Sequence, residues 1–360
     1  MRGADIKQVE MRVAFSLEDR VPTDHPLRTI RRLVDDSLRA MSGVLTTMYS
    51  HTGRPSIPPE RLIRSLLLQV LYSIRSERQL VEQLDYNLLY RWFVGLGMDE
   101  PVWDATSYTR NRQRLIDADA GRALMAAILG QARERELLSD EHFSVDGTLI
   151  EAWASQKSFQ RKDDEPPQDG GTDFRGQKRA NETHASVTDP QAQLYRKSQG
   201  QEARLAYLGH ALMDNRHGLA VDGCATQATG TAERDAAAEM IDRIKTDGEE
   251  ISLGADKGYD TQAFVERLVR GKVKPHIAQN TTNRRSAVPD AVARTEGYAK
   301  SLNARPRIEG IFGWLKRIGG MKKIKLRGTA KVHSLFTFAL AAYNLVRMRT
   351  LLMPQPSCAR

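Results

Sequence analysis

Cysteines and long apolar runs are both scarce in this chain. Only Cys224 and Cys358 occur among 360 residues, and neither belongs to a Cys/His cluster with zinc-ligand spacing. A disulfide framework and a structural zinc are therefore not expected. The longest apolar stretch, residues 335–346, includes Thr337 and Asn344 and is too short to span a bilayer, so it predicts a buried core helix. The first residues lack the positive-then-apolar order of a secretory signal, which favours the reducing cytoplasm and no membrane contact.

Several catalytic motifs are absent as well. The sequence contains no P-loop and no Ser/His/Asp pattern. His142, His210 and His217 stand beside no nucleophile in the sequence, and we expect structural roles for them. Nucleotide hydrolysis by a P-loop and acyl transfer by a serine triad are thus disfavoured.

Positive charge is concentrated in one segment. Residues 271–330 contain 14 Lys or Arg and three acids, a net charge of +11, although the whole chain carries only +9. A concentrated basic segment is typical of proteins that bind a phosphate backbone. It predicts a nucleic-acid partner, with an ordinary solvated surface as the alternative.

Residues 1–135 show the apolar spacing of helices. One helix is predicted over residues 59–74 from its 3.6-residue period, and a capping-box pattern at residues 76–79 begins the next. A third carries Arg110 and Arg114, which share a face because they are four residues apart. This face suits contact with DNA and suits the exposed side of a small bundle equally well. We expect a helical N-terminal domain here.

From residue 136 onward, strand patterns alternate with helix patterns. A polar stretch at about 155–202 lacks apolar periodicity and predicts a loop or partly disordered insert. Three strands followed by alternating helices and strands predict a mixed α/β sheet with flanking helices, in a domain over residues 136–353 with a tail at 354–360. The predicted strands are residues 142–148, 204–213, 219–226, 251–256 and 273–278, and the predicted helices are residues 231–245, 261–269 and the region from 306 onward.

Two aspartates occupy similar positions in this pattern. Asp146 and Asp256 each end an apolar strand just before a glycine-containing turn. Ligand sites of α/β sheets lie outside strand ends, so the two carboxylates converge if their strands are neighbours. Converging carboxylates repel each other and need a cation, for which Mg²⁺ is the usual solution. An Asp before a Gly is, taken alone, more often only a turn.

Glu309 belongs to a segment that we expect to begin a helix, with Pro306 at its first position and Arg305 as its cap. At about 100° per residue, Arg305 and Lys316 lie on the same face as Glu309. A carboxylate between two cations suits a metal site that also grips phosphate. A solvated ladder of ion pairs is the alternative.

Five sequence blocks carry a more specific signal. They are the stretch from GRP at 53–55 through LYRWF at 89–93, FSVDGTLIEA at 143–152, QATGTAE at 227–233, GADKGYD at 254–260 and RIE at 307–309. Together they resemble bacterial insertion-sequence transposases of the insertion-sequence-five type, over nearly the whole chain. The resemblance implies an RNase H-like catalytic domain preceded by a mostly helical domain for DNA-end binding and assembly. It also implies a DDE triad, which falls on Asp146, Asp256 and Glu309.

The resemblance further implies metal-dependent cleavage at insertion-sequence ends and strand transfer into target DNA, with Mg²⁺ (or Mn²⁺) held by the triad. Double-stranded DNA, as terminal inverted repeats and as target, would be the partner of a homo-oligomer. Residues 302 and 310 depart from the family pattern, because Leu302 replaces a Tyr and Gly310 replaces a second Glu. The expected DNA contacts are Arg305, Lys316, Arg317, Lys322, Lys323, Lys325, Arg327, Arg110 and Arg114.

Two other functions fit the same residues. A simple nuclease on this fold would cut DNA without joining it. A domesticated or decayed transposase would bind DNA through the basic segment without catalysis. Retention of all three acids disfavours the second.

Overall fold

The computed structural model describes residues 16–49, 56–162, 180–196, 200, 202–246, 248, 250–282 and 284–353. The GRP block at 53–55, residues 163–179 of the polar stretch and the tail at 354–360 lie outside the described residues.

The first part of the chain is helical, as predicted. Asp104 begins one of these helices by accepting hydrogen bonds from the N–H groups of Thr106 and Ser107, each at 2.9 Å. Ser76 begins another by accepting one from the N–H of Gln79 at 3.2 Å, so the predicted cap is confirmed. The helices are α1 Leu17–Arg20, α2 Pro26–Ala40, α3 Ser42–Thr47, α4 Pro59–Leu71, α5 Glu77–Tyr86, α6 Leu88–Val94, α7 Ala105–Asp117 and α8 Ala120–Glu134.

The second part contains the predicted strands and helices with end shifts of a residue or two, apart from two larger differences described below. Short 3-10 turns occupy Gln156–Ser158, Lys257–Tyr259 and Arg305–Arg307. The strands are β1 His142–Ala152, β2 Phe159–Arg161, β3 His184–Ser186, β4 Gln193–Tyr195, β5 Arg204–Asp214, β6 Ala220–Gln227, β7 Ile251–Ala255, β8 Val273–Ile277 and β9 Lys323–Ile324. The helices are α9 Ala232–Ile244, α10 Gln262–Arg270, α11 Asp290–Ala293, α12 Glu296–Ala304, α13 Ile308–Arg317 and α14 Thr329–Leu352.

The first larger difference concerns β1. This strand continues to Ala152, so the prediction that it stops at Asp146 is wrong. Gly147 does not begin a turn, because it stays paired with His210 of β5 in the antiparallel ladder. Part of the predicted insert is also ordered, since β2, β3 and β4 lie within it.

The second difference concerns the segment around Pro306. Arg305 has helical backbone angles and ends α12, so the prediction that it caps the start of a new helix is wrong. A 3-10 turn, Arg305–Arg307, joins α12 to α13 directly. Pro306 fits because the first turn of a helix needs no backbone N–H there. Glu309 is consequently the second residue of α13.

The sheet is mixed, as predicted. Its central strand β1 pairs antiparallel with β5 on one side and parallel with β7 on the other. β5 also pairs antiparallel with β6, and β7 pairs parallel with β8. The order β6–β5–β1–β7–β8 is the RNase H-like arrangement. It places the carboxyl end of β7 beside the middle of β1, with β8 on the other side of β7.

Helix α14 joins the two parts of the chain, and the prediction of a buried core helix is confirmed. It packs against β5 and β6 on one side and against α2, α4 and α8 on the other. Its polar residue Asn344 is fully buried, where its side chain donates to the backbone C=O of Ala220 at 2.7 Å and accepts from its N–H at 2.9 Å. One continuous apolar core therefore runs from the N-terminal helices to the sheet. No helix of the described residues combines the length and apolarity needed to cross a membrane.

Candidate active site

Two of the predicted site residues meet through the register of the sheet. In the parallel ladder, residues 142, 143 and 144 of β1 face residues 252, 253 and 254 of β7. The same offset places Asp146 opposite Asp256, just beyond the last pair. Neighbouring strands lie about 4.8 Å apart where they pair, and both aspartates follow that paired region within two residues. Asp146 is thus in the middle of β1 and also at the point where β1 separates from its parallel neighbour.

The carboxylate of Asp146 lies in polar surroundings where β1 separates from β7, a region that we call the corner. One of its oxygens accepts the N–H of Gly147 at 2.7 Å, and Arg305 Nη1 lies 3.9 Å from the other. Both side chains are about one-fifth exposed, at 21% and 22%. The Arg305 cation therefore faces a carboxylate of the predicted triad.

Asp256 begins the 3-10 turn that follows β7. Its side chain accepts the N–H of Gly258 at 2.8 Å, which is the role of a capping residue. Arg234 at the start of α9 reaches the same turn, with Nη1 3.4 Å from the C=O of Gly258. The turn is therefore tied to α9 as well as to the sheet.

Glu309 is exposed in the first turn of α13, four residues after Arg305. Since Arg305 reaches Asp146, this turn lies at the same corner of the sheet. Across the described residues, however, no three His, Cys, Asp or Glu side chains lie close enough together to hold a metal ion as they stand. Three acids separated in sequence are thus brought to one region, and their carboxylates have not converged on one point.

Sequence reasoning missed two residues at this corner, Tyr259 and Glu233. Tyr259 is 1% exposed, and within the described structure its hydroxyl has no hydrogen-bond partner. Burial raises the pKa of Tyr259 well above its usual value, and the nearby carboxylates of Glu233, Asp146 and Asp256 raise it further. Both residues lie inside the blocks at 227–233 and 254–260, which was the available signal.

The predicted DNA contacts of the basic segment lie on the surface. Lys322, Lys323, Lys325 and Arg327 are exposed along and beside β9, and Arg317 is exposed at the end of α13. Lys316 is half-buried in the last turn of the same helix. β9 pairs with the far end of β1, so these cations follow the strand that carries Asp146.

Trp153 is a further surface residue that sequence reasoning missed. It follows β1 directly and is 49% exposed. The ammonium groups of Lys323 and Lys325 lie 5.4 and 5.3 Å from its ring centre. The ring thus joins β1, through cation–π contacts, to the four exposed cations on and beside β9, which we call the basic strand (Lys322, Lys323, Lys325 and Arg327).

Other predicted residues have ordinary surroundings. Arg110 and Arg114 are both exposed on α7, and the Arg114 guanidinium also lies 5.3 Å from the ring centre of Tyr49. His210 is fully buried beside Thr226, at 2.8 Å from its hydroxyl, and burial lowers its pKa to about 4. A neutral, buried histidine of this kind is structural.

The donor set at the corner fits a hard divalent cation in kind. Asp146, Asp256 and Glu309 offer carboxylate oxygens, the donors that Mg²⁺ and Mn²⁺ prefer. The unpartnered hydroxyl of Tyr259 shows that the corner has unfilled polar capacity. Binding of an ion requires some of these side chains to rotate, because they do not form a closed cluster as they stand.

Comparison with known families agrees with this arrangement. Residues 15–114 match the family model described as "Transposase domain (DUF772)", and residues 138–345 match the "Transposase DDE domain". Structural matches include the piggyBac transposase in a synaptic complex with hairpin DNA, at 8% identity over 90% of this chain and 75% of that chain, with a TM-score of 0.39. The Mos1 mariner paired-end complex with Mn matches at 12% identity over 92% of this chain and 87% of that chain, with a TM-score of 0.25.

These TM-scores are low, and the assignment rests on the family models. The DDE model covers more than half of the chain. DDE transposases in general use divalent metal ions. The chain belongs to the DDE transposase family, whose members are enzymes that cut DNA and transfer its strands.

Proposed function

We propose that this transposase cuts DNA at the ends of its own insertion sequence and joins those ends to target DNA, with Asp146, Asp256 and Glu309 as its catalytic carboxylates. The observation that supports the proposal is the register of β1 and β7, whose last pair, Ser144 with Gly254, stands two residues before Asp146 in β1 and two residues before Asp256 in the turn after β7. Glu309 joins them because its helix begins one turn after Arg305, which contacts Asp146. Mg²⁺ is the proposed ion, with Mn²⁺ as a substitute.

The three carboxylates would hold the divalent ions, which when bound supply activation of the attacking oxygen and stabilisation of the leaving oxygen. Arg305 neutralises Asp146 in the described state, and its long side chain is free to turn toward a phosphate once other cations neutralise that acid. Lys316, on the Glu309 face of α13, would hold a neighbouring phosphate. Water as the attacking group gives cleavage, and a terminal 3′-hydroxyl gives strand transfer.

The basic segment supports double-stranded DNA as the partner. Its exposed cations, Lys322, Lys323, Lys325 and Arg327, follow one strand and would track the phosphate backbone. We further propose that residues 1–135, with Arg110 and Arg114, bind the terminal repeats and assemble a homo-oligomer, and that residues 136–353 form the catalytic domain. We also propose that the protein acts in the bacterial cytoplasm, on the nucleoid, because DNA is its substrate.

A cleavage and joining assay with Asp146→Asn tests this function. The wild-type protein is expected to nick and join labelled DNA that carries the element ends, in Mg²⁺ or Mn²⁺. Asp146→Asn is expected to bind the same DNA with unchanged affinity and to lose cleavage, whereas the exposed control Asp99→Asn retains both. Equal cleavage by Asp146→Asn contradicts the proposal.

The same assay separates the two rival functions. Cleavage without any joined product identifies a simple nuclease. Binding by the wild-type protein without cleavage, in both metals and over a range of end sequences, identifies a DNA-binding protein that has lost catalysis.

A further inference from the structure

Glu233 approaches the active-site corner over a residue without a side chain. It is the second residue of α9, a helix that packs on β1, β5 and β6. A Cβ atom placed on Gly147 would lie 2.7 Å from Glu233 Oε1 and 3.1 Å from its Cγ. No real Cβ tolerates the first distance, so glycine at position 147 leaves the space that the Glu233 carboxylate occupies. Gly147 directly follows Asp146.

Tyr259 supplies an independent observation of the same juxtaposition. Its hydroxyl is buried, and among the described residues it has no hydrogen-bond partner. Three nearby carboxylates raise the pKa of this phenol, those of Glu233, Asp146 and Asp256, and Glu233 raises it the most among them. The corner therefore has one more carboxylate than the triad accounts for.

Helix stabilisation alone does not explain this position. An acid in the first turn of a helix is favourable by about 0.3–1 kcal/mol, and Asp235, exposed in the same turn of α9, provides it already. Glu233 is instead half-buried against Gly147. Arg234, its neighbour, ties the start of α9 to the turn that follows Asp256, which fixes the helix start relative to the corner.

We propose that Glu233 is a fourth carboxylate of the active site, which supplies an oxygen ligand to the divalent ion held by Asp146. The proposal rests on the proposed function, because it assumes that Asp146 binds an ion. Gly147 is then a requirement of the site, since any side chain there displaces the Glu233 carboxylate from its place against β1. The hydroxyl of Tyr259, which has no partner among the described residues, is then available to donate to a carboxylate that rotates to bind the ion.

Titration of the full-length protein with Mn²⁺, followed by calorimetry, tests the proposal without reference to activity. Glu233→Gln keeps the shape of the side chain and removes its charge. We expect it to weaken Mn²⁺ binding at least about tenfold, on the scale seen when groups at a metal site are removed. Glu239→Gln, an exposed position on the same helix, is the matched control and should bind Mn²⁺ like the wild type.

Gly147→Ala gives a second test that removes no carboxylate. The added methyl meets the flexible end of Glu233, so the fold should persist while the carboxylate moves away. We expect a similar decrease in Mn²⁺ affinity, and no additional decrease when Gly147→Ala is combined with Glu233→Gln. Additive effects would show that the two residues act separately, and they would overturn the proposal.

Asp146→Asn separates this inference from the function on which it rests. If Asp146→Asn weakens Mn²⁺ binding and Glu233→Gln does not, the assignment of Glu233 as a fourth ligand is wrong and the proposed function stands. If neither variant changes Mn²⁺ binding, both are wrong. Melting temperatures without metal identify any variant that is merely unfolded, in which case Gly147→Ala alone decides.

Discussion

The acidic corner and the basic strand of this molecule are built on the same β-strand, and they are built differently. At the corner, Asp146 and Asp256 both follow the last pair of the β1–β7 ladder within two residues, and each carboxylate accepts a hydrogen bond from a backbone N–H. At the other end of β1, Lys323 of the short strand β9 and Lys325 just after it are exposed and contact the ring of Trp153. Chemistry at a phosphate needs groups fixed to within fractions of an ångström, whereas attraction of a polyanion needs only charge nearby. Substitutions at the corner should therefore abolish activity, and substitutions on the basic strand should reduce affinity by degrees.

The largest effect is expected at Asp256. Asp256→Asn keeps the capping acceptor for the N–H of Gly258 and removes the negative charge. DNA cleavage should fall by on the order of 10³-fold or more, as for a member of a catalytic set, while affinity for end DNA is unchanged. Single-turnover cleavage beside filter binding measures both. A parallel loss of binding would show that the corner contributes to DNA affinity as well as to cleavage. Asp117→Asn, at an exposed position, is the control and should change neither.

Arg305 lies between the two regions, and its substitution sharpens the comparison. Arg305→Lys retains a cation near Asp146 but loses the planar fork that grips phosphate. We expect cleavage to fall about 10²-fold, on the scale of a missing transition-state donor, with a smaller decrease in affinity for DNA. Wild-type cleavage rates in Arg305→Lys at saturating DNA would assign Arg305 to the neutralisation of Asp146 alone.

Graded effects are expected on the basic strand. The pair Lys322→Gln and Arg327→Gln should weaken DNA binding and reduce the slope of log affinity against log salt by about 0.9 for each phosphate that is no longer neutralised. Fluorescence anisotropy over a salt titration measures this slope. The pair Arg39→Gln and Arg270→Gln removes two exposed cations elsewhere and should leave the slope unchanged. If both pairs lower the slope equally, DNA binding reflects total charge and not this strand.

The smallest effect concerns Trp153. Trp153→Leu removes the ring that Lys323 and Lys325 contact, and exposed cation–π contacts contribute about 0.5–1 kcal/mol. The free energy of unfolding, measured in urea, should fall by about that amount. Lys323→Met should have less effect in the Trp153→Leu background than in the wild type. A decrease of several kcal/mol would mean that this end of β1 is as tightly constrained as the corner.

The difference between local and long-range contacts explains how much of the fold could be predicted from the sequence alone. Local patterns predicted the helices, because Asp104 and Ser76 are efficient caps and the apolar spacing was regular. The end of β1 was predicted wrongly, since Gly147 reads as a turn signal in the sequence. In the structure, Glu233, 86 positions later, occupies the space that a side chain at position 147 would need. A long-range contact of that kind has no local signature.

The residues of the candidate site fall into the same two groups, those that the sequence predicted and those that only long-range packing reveals. Asp146, Asp256 and Glu309 were predicted from their place in the pattern and from family resemblance. Glu233 and Tyr259 were missed because each looks ordinary alone, one as a helix-start acid and the other as an aromatic in a turn. Only the packing of α9 on β1 and of the 3-10 turn below it brings them to the corner.

Helix α14 has a consequence for how the protein is made. Its buried face completes the core of the N-terminal helices and of the sheet together. Until residues 329–352 have left the ribosome, both parts expose apolar surface and are prone to aggregation. A copy of the gene truncated before this helix should therefore yield no folded DNA-binding fragment, and the element loses binding and catalysis in a single event.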